Sequence, residues 1–160
     1  MNRNDECVVT FGPRGILQVD NAKITYKNFE GRGSQFNRPG DRNFAWIIPN
    51  EDMAAELSQL GWNVKVKPPK EEGTDPMFYL PVKVKFNARG PQILLQTCNA
   101  INPLDEESCG LIDEISVMCV DMDLRPYDWC VNGKEGRTAY LQGIKVVQNV
   151  DRFVMMRNQE

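Results

Sequence analysis

Tyr127-Asp128-Trp129-Cys130-Val131-Asn132-Gly133-Lys134-Glu135-Gly136, with Thr138–Gln148 behind it, is the stretch on which the fold turns. Tyr127, Trp129 and Val131 alternate with Asp128 and Cys130, the two-residue period of a strand. Asn132 to Gly136 reads as a five-residue turn with a strong hairpin signal, because Asn-Gly accepts the backbone angles that tight hairpins demand. Thr138–Gln148 then returns as a second strand. Upstream, Leu111–Asp123 reads as a long strand that resumes after Pro126. The C-terminal third is therefore antiparallel β.

The pattern persists toward the N-terminus. Gln92–Cys98 has the composition of a buried strand, and Pro103–Cys109 that of an acidic turn or a single helical turn. In Phe78–Asn87, Val82, Val84 and Phe86 oppose Lys83 and Lys85; in Trp62–Lys67, Val64 and Val66 oppose Lys65 and Lys67. If these two strands pair, four lysines share one face, although such lysines are more often plain solvent-facing residues or edge-strand protection. Asn50 is a natural N-cap for a helix running to Leu60 and stopped by Gly61, with Met53, Ala54, Leu57 and Leu60 as its apolar stripe. Arg42–Pro49 is a strand with Phe44, Trp46 and Ile48 on one side. Arg14–Phe29 is another, broken near Asp20-Asn21, with Ile24 and Tyr26 facing one way and Lys23, Thr25, Lys27 and Phe29 the other.

These elements make one mostly-β domain of about five to seven strands with a single short helix near residues 50–60. A loose arm is expected at 1–13, the domain at 14–153 and a short tail at 154–160. A small twisted sheet must protect its edges. The five-stranded oligonucleotide-binding (OB) barrel does so by closing on itself, and a β-sandwich is the alternative.

Composition narrows the function. The 160 residues contain no histidine, which removes the commonest general base and the Ser-His and Cys-His nucleophile pairs. Five cysteines without a Cys-x-x-Cys pair fit no usual zinc set, so reduced thiols and no metal or other cofactor are expected. No apolar run approaches the ~18–20 residues of a membrane span. The start lacks the apolar core of a signal peptide, so a cytoplasmic location without membrane contact is expected.

Net charge is −3, but it is unevenly distributed. Lys23 to Arg42 holds five basic and two acidic residues, whereas Leu104 to Leu124 holds seven acidic and none basic. The local field along a groove matters for a polyanion more than the total does.

The basic stretch has a second property. Phe29 to Phe44 interleaves Phe29, Phe36 and Phe44 with Arg32, Arg38 and Arg42 and with Gly31, Gly33 and Gly40. Rings offer π-faces, guanidinium groups offer fixed charge, and glycines let a backbone approach a ligand. Single-stranded nucleic acid needs all three. A surface loop whose phenylalanines plug the local core is the plainer reading. The same chemistry recurs where Tyr127 and Trp129 run into Lys134 and Arg137, with Tyr140 close behind, although two same-face aromatics also suit a core. Asp121-x-Asp123 with Asp113, Glu114 and Asp128 could hold magnesium in a nuclease. A solvated acidic face explains them more simply.

Taken in order, Phe29-x-Gly31-Arg32, Phe36-Asn37-Arg38-x-Gly40-x-Arg42-Asn43-Phe44, Gly61-Trp62-Asn63-Val64-Lys65, Tyr79-Leu80-Pro81-Val82 and Arg125-Pro126-Tyr127-x-Trp129-x-Val131-Asn132-Gly133-Lys134-x-Gly136 resemble a family of small phage and prophage proteins. That family is described as single-stranded DNA-binding with an OB-type barrel, and the resemblance spans about residues 16–153. It implies a non-catalytic protein that coats single-stranded DNA during replication or recombination in the host bacterial cytoplasm. Arg32, Phe36, Arg38, Arg42, Trp129 and Lys134 are its matching positions.

The full expected interface is Lys27, Phe29, Arg32, Phe36, Arg38, Arg42, Lys65, Lys67, Lys83, Lys85, Tyr127, Trp129, Lys134, Arg137 and Tyr140. Expected partners are single-stranded DNA and phage or host replication and recombination proteins, with oligomerisation left open. A phage module that binds a host protein through Phe36 and the arginines is the alternative, followed by the nuclease. Many bacterial single-stranded DNA-binding proteins end in an acidic tip closed by phenylalanine. Val154–Glu160 lacks that pattern, so recruitment by such a tip is not expected.

Overall fold

The computed structural model describes residues 6–88 and 90–149. Its strands are β1 (Val8–Phe11), β2 (Leu17–Asn28), β3 (Arg42–Ile48), β4 (Lys65–Lys67), β5 (Met77–Val84), β6 (Gln92–Gln96), β7 (Ile101–Leu104), β8 (Val117–Val131) and β9 (Lys134–Gln148). The α-helix α1 (Glu51–Gln59) lies between β3 and β4. Five strands close into a ring: β2–β3, β3–β5, β9–β8 and β8–β2 pair antiparallel, and β5–β9 pair in parallel. Closure leaves these five strands without a free edge across those pairings. The expected mostly-β domain with one short helix is what the chain forms.

Alternation fills the ring. Phe44, Trp46 and Ile48 of β3 and Leu80, Val82 and Val84 of β5 point inward with Leu124, Leu141 and Val146, all buried. Each buried side chain of this size stabilises the fold by roughly 1.5–3 kcal/mol. Asn50 caps α1 by accepting from the Met53 N–H at 2.8 Å, and Gly61 ends it with φ +100. Ala54 and Leu57 are buried as the stripe requires. Leu60 is not, because it is the C-cap residue, where the chain is already turning away.

Local hydrogen bonds explain where the fold departs from its sequence pattern. Val8–Phe11 is no loose arm; it pairs antiparallel with Leu17–Asp20. Cys109–Glu114 is a 3-10 turn rather than strand, burying Cys109 and Ile112 three residues apart, and β8 starts only at Val117. The preceding turn is fixed by Asp105, whose Oδ1 accepts from the Glu107 and Ser108 N–H groups and the Ser108 hydroxyl. The hairpin turn is two residues, Asn132 (φ +52) and Gly133 (φ +79), so β9 begins at Lys134. β7 had no counterpart in the expected elements.

β2 carries two irregularities. The expected break near Asp20-Asn21 is a bulge at Asn21 (φ +57), whose N–H donates to Asp121 at 2.8 Å. A second lies between Thr25 and Asn28, where Tyr26 has φ +51. It reverses the expected faces, leaving Tyr26 outside and Phe29 in the core. The expected domain end at 153 and the tail at 154–160 lie outside the described residues.

Candidate nucleic-acid interface

The loop between β2 and β3 is held by two asparagines. Asn28 Oδ1 accepts from the Gly31 and Arg32 N–H groups. Asn37 Nδ2 donates to the carbonyls of Arg32, Arg38 and Asp41, while its Oδ1 accepts from Asn43 Nδ2 at 2.8 Å. Gly31 is buried with φ +77, and a Cβ there would sit 3.2 Å from the Gly40 backbone. The loop is thus a tied scaffold that presents Phe36 with 89% of its surface exposed. Arg38 is exposed beside it, and its side chain makes no hydrogen bond or ion pair among the described residues.

Four expected interface residues have structural duties instead. Phe29 is fully buried and stacked on Phe44 (centroids 5.2 Å apart, planes at 12°), so it has no face for a base. Arg42 donates to the Phe29 carbonyl at 2.9 Å, pairs with Glu106 at 3.4 Å and lies over Phe86. Lys27 Nζ donates to the carbonyls of Ile112 (2.9 Å) and Ile115 (2.7 Å), closing the 3-10 turn onto β2. Arg137 pairs with Asp128 at 2.7 Å, donates to the Leu60 carbonyl at 2.9 Å and covers Trp62, which ties the hairpin to the end of α1. That contact raises the Arg137 pKa and holds the Asp128 carboxyl below its usual range. Arg32 is intermediate. It pairs with Glu114 at 3.1 Å, but both are largely exposed, and such a pair contributes at most ~1 kcal/mol and can be exchanged for a phosphate.

The remaining candidates converge through strand register. Asn43, which holds the loop, is paired with Lys83 of β5; Lys83 is paired with Tyr140 of β9, and Tyr140 with Arg125 of β8. Residues paired across a sheet share a face, and strands lie ~4.8 Å apart. The neighbouring Val82, Ala139 and Leu124 are buried inside the ring, so this row lies outside it. Tyr127 meets Tyr140 edge-on at 5.9 Å with 52% of its surface exposed. Trp129, 38% exposed, lies over Gly136, where an added Cβ would come within 2.3 Å of the indole. Lys83, Lys85 and Lys134 are exposed and carry no ion pair or side-chain hydrogen bond among the described residues.

A second patch on the same outer surface joins the expected Lys65 and Lys67 to Tyr26 and Tyr79, which had no signal in the sequence. Tyr26 reaches Tyr79 edge-on at 5.6 Å, and Lys67 Nζ sits 5.6 Å from the centre of the Tyr26 ring. β4 pairs with β5 so that Lys65 is opposite Tyr79 and Lys67 opposite Met77. Residues 77, 79 and 83 alternate onto one face, so the two lysine strands do pair and Lys65, Lys67 and Lys83 share it. The bulge that turns Tyr26 outward reverses strand parity, and no residue pattern announces it.

Four of the five acidic residues considered as metal ligands, all but Asp123, are engaged elsewhere, Glu114 with Arg32 as described. Asp113 accepts from the Phe29 and Glu30 N–H groups, Asp121 pairs with Lys145 at 3.3 Å, and Asp128 holds Arg137. Burial, then the charges of Asp121 and Asp123, push the Asp20 carboxyl up. Asp20 of β2 and Asp121 and Asp123 of β8 gather where these two strands pair.

Residues 9–155 match the model of a family described as "Putative phage ssDNA-binding domain". No curated protein matches the chain. Solved structures of the single-stranded DNA-binding protein from bacteriophage Enc34 are similar in fold. Its C-terminal truncation shares 12% identity at a TM-score of 0.53, covering 93% of this chain and 99% of that one. The same protein in complex with ssDNA shares 13% identity at a TM-score of 0.59, covering 94% and 95%.

Proposed function

The chain belongs to the phage single-stranded-DNA-binding domain family, and from that premise we propose that it coats single-stranded DNA without catalysis, along the outer face of β3, β5, β9 and β8. The observation that carries this reading is the row Asn43–Lys83–Tyr140–Arg125, which joins the Phe36 loop to the Tyr127–Trp129 hairpin. Bases stack on Tyr127, Trp129, Tyr140 and Phe36, each worth ~1–3 kcal/mol. Lys83, Lys85, Lys134, Arg38 and the exchangeable Arg32 replace condensed counterions on the phosphates. Lys65 and Lys67 border the Tyr26–Tyr79 patch, a further stacking position.

Fold-level analogy supports the same surface. OB-type rings bind oligonucleotides on the face of their second and third strands and through the loops after their first and fourth. Counted around this ring, those are β3, β5, the loop at 29–41 and the turn at Asn132-Gly133. Every base has a π-face, so little sequence preference is expected. Among the described residues no helix is long and apolar enough to cross a membrane. We place the protein in the host cytoplasm, acting in replication or recombination alongside phage or host proteins of those processes.

Competition titrations with single strands, duplex and RNA at several salt concentrations test this. Single strands should bind far more tightly than duplex, whose bases are already stacked, with a log–log salt slope of ~0.7 per neutralised phosphate. Equal affinity for duplex removes the stacking role. A flat salt dependence removes the phosphate contacts and favours a protein-binding module anchored on Phe36. Magnesium-dependent cleavage of the oligonucleotide would replace both with the nuclease.

A further inference from the structure

We propose that a groove beside Tyr140 is a second subsite, one that takes the phosphodiester backbone of the bound strand; this rests on the single-strand reading above. The groove encloses about 840 Å³ and is lined by Arg14, Lys85, Arg125 and Tyr140, with no Asp or Glu among the described residues of its wall. Clefts of ~300–1,000 Å³ accept drug-sized ligands, so a nucleotide unit fits. Arg125 lies 5.3 Å over the Tyr140 ring. Among the described residues, none of the three cations has an ion pair, and the side chains of Arg14 and Lys85 have no hydrogen-bond partner.

Three like charges around one cleft raise its potential, and an anion relieves it. The phosphodiester is the anion that the neighbouring face delivers. Tyr140 belongs to both places: it is paired with Lys83 on the outer face and also lines the groove. A strand stacked along the β5–β9 seam therefore enters the groove without leaving the protein surface. Phosphate oxygens accept from the guanidinium groups of Arg14 and Arg125 and from Lys85.

The backbone at Arg14 makes the same point. It has φ +61 and ψ +23, a left-handed conformation that favours glycine, within a turn closed by Gly12 N–H to the Ile16 carbonyl at 2.8 Å. An arginine kept in a conformation unfavourable to it points to a task for its side chain.

Arg14→Gly isolates that task, because glycine suits the positive φ while the charge is lost. Wild type, Arg14→Gly and Lys85→Ala are compared by fluorescence anisotropy with oligothymidylates of increasing length at several salt concentrations, with thermal melts alongside. The wild type should gain affinity with length. Arg14→Gly should keep its melting temperature, lose about tenfold in affinity on long oligomers, the effect of one charge-assisted hydrogen bond, and lose ~0.7 in salt slope. Binding of the shortest oligomers should be unchanged. Wild-type affinity and slope at every length in both variants would overturn the subsite and take Lys85 out of the phosphate contacts, while the stacking face of Phe36, Tyr127, Trp129 and Tyr140 would stand. A wild type that binds no single strand would remove both together. Inorganic phosphate or thymidine monophosphate competing as well as the oligomer, through Arg14, would make this a small-anion site and overturn the backbone assignment.

Discussion

Two phenylalanines seven residues apart have opposite fates, and they separate binding from folding. Phe36 stands on a loop tip with 89% of its surface exposed, whereas Phe29 is fully buried against Phe44. Phe36→Ala should weaken single-strand binding by ~1–3 kcal/mol in a titration and leave the melting temperature nearly unchanged. Phe29→Ala should remove ~3–5 kcal/mol of stability in a denaturant melt. Gly136→Ala tests the hairpin aromatic: its Cβ would come within 2.3 Å of the Trp129 indole, so the ring must move. Altered tryptophan fluorescence and weaker single-strand binding are expected. Unchanged affinity despite the displaced ring would remove Trp129 from the interface. Phe36 was legible in the sequence because polar, glycine-bearing neighbours left it outside any strand or helix period. Phe29 was not, since its burial depends on the bulge at Tyr26 and on Asp113 capping the loop from 84 residues away.

Among the elements, the long β8–β9 hairpin carries three of the four proposed stacking aromatics, Tyr127, Trp129 and Tyr140, and Arg137 moors it. Its guanidinium joins Asp128 of β8 to the Leu60 carbonyl at the end of α1. Arg137→Ala should lower the melting temperature by a few degrees and leave the salt slope of binding unchanged. A reduced slope with an unchanged melt would return Arg137 to the phosphate contacts. The elements themselves were largely readable. Asn50, Gly61 and the 53–54–57 stripe announced the helix, and the alternation in β3, β5 and β8 announced the sheet. What could not be read is nonlocal. Cations such as Lys27 and Arg42 have the same local sequence signature whether they meet a phosphate or a backbone carbonyl, and only the packing of residues 106–115 against β2 and the loop after it decides between them. Pairing of β5 with β9, which places Lys83 beside Tyr140, joins residues 57 apart.

Over the whole molecule, charge changes sign along the outer face of β8, from Asp121 and Asp123 to Arg125. Lys83, Lys85, Arg125 and Lys134 flank the aromatic face, while Asp20, Asp121 and Asp123 gather where β2 and β8 pair, with Lys145 as the ion-pair partner of Asp121. This arrangement orients a polyanion toward the basic part and discourages indiscriminate coating. It has a cost in stability. Burial and its acidic neighbours raise the Asp20 pKa above 3.8, so the folded carboxyl binds its proton more tightly than the unfolded one, and ionisation opposes folding. Asp20→Asn should therefore raise the melting temperature at pH 7. That gain should disappear as pH falls through the raised folded value and below 3.8. A gain that persists unchanged in acid would point to some other cause. The most direct measurement is a backbone amide NMR titration of the protein with a single-stranded oligonucleotide. Shifts are expected at the loop around Phe36 and at Asn43, Lys83, Arg125, Tyr127, Trp129, Lys134 and Tyr140. Shifts centred on Asp20, Asp121 and Asp123, or none at a saturating concentration of oligonucleotide, would contradict the assignment of this face to DNA.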